Sequence, residues 1–117
     1  LACTWTLRRC NINESDWKLL RELSPVALDR LCQRILAEAQ AICCDGKRSN
    51  HERYLALYRF IETRDEDIAT AFNDRRRSTA MRCILAMRAQ DLFTDEEFAR
   101  FSETTRETIS AVLRSQR

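Results

Sequence analysis

A single glycine, Gly46, and a single proline, Pro25, are all that punctuate 117 residues. These two residue types most often end helices and open turns. Between them, apolar side chains recur at steps of three and four, the spacing of one face of a helix. The chain is therefore read as all-α, a compact bundle of about five helices over roughly 14–23, 25–44, 50–72, 75–91 and 95–115, the last with a break near 102. Residues 1–12 read as an N-terminal arm and 13–117 as a single helical domain.

Local signals set those boundaries. Asn13 or Ser15 can cap a helix presenting Trp17, Leu20 and Leu23, and Ser24-Pro25 supplies a cap followed by proline at a first helical position. One helical phase nevertheless persists from Trp17 through Leu28, Leu31 and Ile35, as a single kinked helix would require. Asp45-Gly46 offers the left-handed residue that commonly ends helices. Ser49 with Glu52, and Thr94 with Glu97, have the spacing of capping boxes. Asn73-Asp74 provides a break before the fourth helix, and Ser102 can cap the last one.

Composition excludes more than it selects. Twenty basic against eighteen acidic residues leave +2, so no global field draws the protein to nucleic acid or to an anionic membrane. No apolar run reaches the roughly 20 residues that a bilayer span needs, so no membrane association is expected. Arg8 and Arg9 come too soon after Leu1 for a signal peptide to begin here. Cys32, Cys43 and Cys83 fall within apolar helical patterns, where free cysteine acts as a small hydrophobe, which points to a reduced, cytoplasmic setting. His51, the one histidine, could be grouped with Cys43 and Cys44 as metal ligands. Neighbouring helical residues diverge by about 100° and no fourth ligand is evident, so no metal or cofactor is expected.

The third helix carries an anomaly. Asp65 falls between Tyr58 and Phe72 on the apolar stripe of Tyr54, Leu57, Tyr58, Ile61, Ile68 and Phe72, with Arg64 on its flank. On the fourth helix, Arg77 and Arg88 share the phase of Met81, Ile84 and Leu85. A buried unpaired charge is costly, so Tyr54, Tyr58, Arg64, Asp65, Arg77 and Arg88 are expected to form a buried polar network.

Two functional expectations follow. No nucleophile, acid–base pair or nucleotide-binding loop has the spacing that catalysis needs, so the leading reading is a non-enzymatic module that binds another protein or itself. Trp5, Trp17, Phe60 and Phe93 are its candidate contact residues. The alternative is a binder of a small anion, phosphate or nucleic acid that uses Arg75, Arg76, Arg77, Ser78 and Thr79 at a helix start, where unpaired N–H groups attract anions. The lack of aromatics interleaved with those arginines argues against nucleic acid.

Overall fold

In the computed structural model, which describes residues 12–73 and 76–116, the Asn13 side chain accepts the Asp16 N–H at 2.8 Å and opens the first helix. That helix, α1, runs Glu14–Cys43 without interruption, so the segments expected at 14–23 and 25–44 are one element with Pro25 inside it. Proline in a helix interior costs about 3 kcal/mol. Leu19, Leu20 and Leu23 before it, and Ala27, Leu31 and Ile35 after it, are buried on one continuous face. At about 1.5–3 kcal/mol for each large side chain, keeping that face in phase outweighs the lost bond. Ser24 does not cap: it is buried and donates its hydroxyl to the Leu20 carbonyl at 2.7 Å.

The end of α1 also departs from expectation. Gly46 does not adopt a left-handed φ. The terminal carbonyls find other donors: the Cys44 N–H reaches Gln40 and Ile42, and the Arg53 guanidinium gives a 2.8 Å bond to the Cys43 carbonyl. After this turn α2, Asn50–Ile68, starts on the expected capping box of Ser49 and Glu52. It widens into a π-helical turn, Ala69–Asn73, which sets Ala71 and Phe72 into the core. A 3-10 turn, Arg77–Thr79, leads into α3, Ala80–Ala89. The Thr94–Glu97 capping box starts α4, Asp95–Ala99, and Ser102 caps α5, Glu103–Ser115. Helix dominates the described residues, which contain no strand, and the bundle measures 51 × 29 × 24 Å.

The core lies at one end of the long axis, where the first two thirds of α1 meet α3, α4 and α5. Leu31, Ile84, Met87, Leu92, Phe101 and Ile109 are its largest fully enclosed apolar side chains. Phe101 sits 5.7 Å from the Phe93 ring and 6.1 Å from the Phe98 ring, at tilted angles. Asp16 joins this end of the molecule together. Only 2% exposed, its carboxylate accepts the Ser102 N–H at 2.9 Å and the hydroxyls of Ser102 and Thr105, each at 2.6 Å.

The turn after α3 is a Schellman motif: Leu92 N–H bonds the Met87 carbonyl at 2.9 Å and Asp91 N–H bonds that of Arg88 at 3.0 Å. Asp91 takes the left-handed position with φ 57, the conformation glycine tolerates best. Asp91→Gly should accordingly raise stability by about 0.5–1 kcal/mol, read as a higher denaturation midpoint. Two α1 arginines hold this turn. Arg34 donates to the carbonyls of Gln90 and Asp91, each at 2.6 Å, while Arg30 donates to the Leu92 carbonyl at 2.9 Å and pairs with both Glu97 oxygens.

The Arg30 hydrogen bonds, with further help from Thr94 and against the effect of burial, hold the Glu97 carboxyl below its ordinary range. A carboxyl whose folded pKa is depressed stabilises the fold above its unfolded pKa, and that stability is lost as pH falls. Between about pH 5 and pH 3 the melting temperature of Glu97→Gln should therefore fall less than that of the wild type.

Candidate interaction surface

α2 buries none of its side chains. The reason is rotational. Arg53, Phe60, Arg64 and Asp67 are half-buried, and each lies one residue before Tyr54, Ile61, Asp65 and Ile68 of the apolar stripe. One residue is about 100° of turn. α2 thus meets α1 along a line rotated about a quarter-turn from the stripe's centre, sharing Leu57 and Ile68 with it and leaving the opposite flank in solvent.

The buried polar network does not form. Tyr54 is 63% exposed, Tyr58 is 56% exposed, and Asp65 lies in solvent beside them. A carboxylate on the stripe carries no desolvation cost here, because α3 packs against the π turn and α5 and leaves this part of α2 uncovered. Arg64 is the half-buried exception. It pairs with Asp67 at 3.1 Å and with Glu38 of α1 at 3.6 Å, and it lies 5.8 Å from the centre of the Phe60 ring. Arg77 is at the far end of the molecule, on the Ile12 carbonyl and Glu14. Arg88 lies 4.3 Å over Phe98 and 3.4 Å from Asp95. Since Asp65 has no buried arginine to leave unpaired, Asp65→Ala should shift the unfolding free energy of the monomer by less than about 0.5 kcal/mol, as measured by dilute urea titration.

The arginine-rich start of α3 is largely occupied by internal bonds. The Arg77 guanidinium is committed to Ile12 and Glu14, and Thr79 is buried with its hydroxyl donating to the Arg76 carbonyl at 3.0 Å. Arg76 and Ser78 are exposed, and Arg75 lies outside the described residues. Beside this segment a recess of about 250 Å³ is lined by Trp17, Arg21, Phe72, Arg76 and Met87. Among the described residues no three His, Cys, Asp or Glu side chains gather as metal ligands, and no helix is long and apolar enough to cross a membrane.

The proposed contact aromatics also fall differently. Phe93 is buried against Phe101; Trp17 and Phe60 are half-buried against the core; Trp5 lies outside the described residues. In their place the hairpin of α1 and α2 presents Leu36, 68% exposed, and Ile61, 44% exposed and at helical spacing from Tyr54 and Tyr58. Leu36 and Ile61 line one shallow, mostly apolar groove with Cys32, Ile35 and Ile68, to which Arg64 and Asp65 also contribute. The stripe itself was visible in the sequence; the direction in which α1 would cover it was not. Comparison with protein-family models, with curated proteins and with solved structures finds no match to this chain.

Proposed function

We propose that this protein is a non-enzymatic helical module that docks through the open side of the α1–α2 hairpin. The observation that carries the reading is the row of Tyr54, Tyr58 and Ile61 at helical spacing on α2, with Leu36 of α1 beside Ile61 in one groove, each more than two-fifths exposed. Scattered apolar side chains are ordinary on a surface, but a contiguous set with charged residues at its rim is the composition of a docking site. Tyrosine also contributes large contact area at small entropic cost and is enriched among the residues that dominate binding. Full burial of a large apolar side chain contributes about 1.5–3 kcal/mol, and covering the part that these four still expose works against the entropic cost of association.

Cross-linking mass spectrometry in cell extract, comparing wild type with Ile61→Arg, tests the reading. Cross-links from Lys47, at the tip of the same hairpin, should connect to a binding partner, whether another protein or a second copy, and should disappear in the variant while circular dichroism stays unchanged. Identical cross-links in both proteins would refute it.

A further inference from the structure

The geometry points to a second copy of this chain as the occupant of the hairpin face, with the two α2 helices antiparallel about a two-fold axis between Tyr58 and Ile61. This rests on the docking reading above and adds the partner and its orientation.

Charge is what selects the partner. From the turn to the middle of α2, the exposed charges of residues 45–59 are Lys47, Arg48 and Arg59 against Glu52, a net +2. Residues 60–67 expose Glu62, Asp65 and Glu66, a net −3, while Arg64 and Asp67 are half-buried and paired with each other. The sign changes between Arg59 and Glu62, beside the exposed Tyr58 and Ile61. A surface that is positive at one end and negative at the other is complementary to itself when turned end for end, as an isologous two-fold contact requires. Parallel docking would set like charge on like.

The side-chain register agrees. Tyr54, Tyr58, Ile61 and Asp65 recur at steps of four, three and four, the seam of a two-helix packing. With the axis midway between Tyr58 and Ile61, Tyr58 of one copy meets Ile61 of the other, and Tyr54 meets Asp65. The tyrosine hydroxyl can then donate to the carboxylate that lies in solvent in the monomer. Leu36 borders the same seam from α1, so two hairpins together close a four-helix arrangement around the apolar groove that each leaves open.

Sedimentation equilibrium of the full chain, in reductant because Cys43 and Cys44 are exposed thiols, tests this up to about 1 mM, where even weak association registers. Wild type should form a reversible dimer that Ile61→Arg abolishes. Arg59→Glu and Glu62→Arg should each weaken it about tenfold, while an equimolar mixture of the two should recover heterodimer, since the reversed charges then lie within one helical turn of each other across the axis. A dimer broken by Ile61→Arg but not recovered in the mixture overturns the antiparallel arrangement. A wild type that stays monomeric overturns the second copy as partner; cross-links to another protein that Ile61→Arg still removes would then leave the docking reading standing. A dimer indifferent to all these substitutions, together with cross-links indifferent to Ile61→Arg, removes both.

Discussion

Asp16→Ala is expected to lower the free energy of unfolding by about 3 kcal/mol, because a buried donor whose acceptor is removed costs about 1–3 kcal/mol and three donors share this carboxylate. The Ser102 N–H and the hydroxyls of Ser102 and Thr105 all converge on it. Asp16 is only 2% exposed, so water does not simply replace the lost acceptor. The carboxylate also sits at the N-terminal end of α5, where the unpaired N–H groups favour negative charge. Urea titration of Asp16→Ala, Thr105→Val and the double variant gives the coupling directly. The double variant should lose less than the sum of the single ones, since valine leaves no hydroxyl without an acceptor. Strict additivity would show that Asp16 and Thr105 act independently.

No spacing rule could have found this contact. Asp16 and Thr105 are 89 residues apart, and an acidic side chain in a helix's first turn, where Asp16 stands, is ordinary on local grounds alone. What was legible was local: the capping residues Asn13, Ser49, Thr94 and Ser102 all act where the sequence places them, because each is decided within four residues. Pro25 was misleading for the same reason. Ser24-Pro25 is a good helix start in isolation, and only the burial of Leu31 and Ile35 in phase with Leu20 and Leu23 keeps α1 continuous. The apolar stripe of α2 was found, yet its surroundings were not. Amphipathic periodicity gives the direction of a face, whereas its burial depends on whether a third helix arrives to cover it. Here α3 does not, so Asp65, Tyr54 and Tyr58 are surface residues and Arg64 turns instead toward Glu38.

Phe101→Ala is expected to cost about 3–5 kcal/mol, a large part of the roughly 5–15 kcal/mol that stabilises a domain of this kind. Phe101 is enclosed between Phe93 and Phe98, where α4 turns into α5, and its carbonyl accepts the Arg106 Nε–H at 3.0 Å. Truncation would leave a cavity lined by rings anchored on separate segments, which limits how far the site can collapse. Tyr58→Ala makes the informative contrast. Its ring is already 56% exposed, so in dilute protein the change should stay below about 1 kcal/mol. Because a dimer stabilises the folded state by mass action, the Tyr58→Ala deficit should grow as protein concentration rises, whereas the Phe101→Ala deficit should remain large at every concentration. Thermal melts across a hundredfold dilution separate the two. A Tyr58→Ala deficit independent of concentration would mean that this tyrosine acts within one chain only, and the self-association proposed for the hairpin would fail with it.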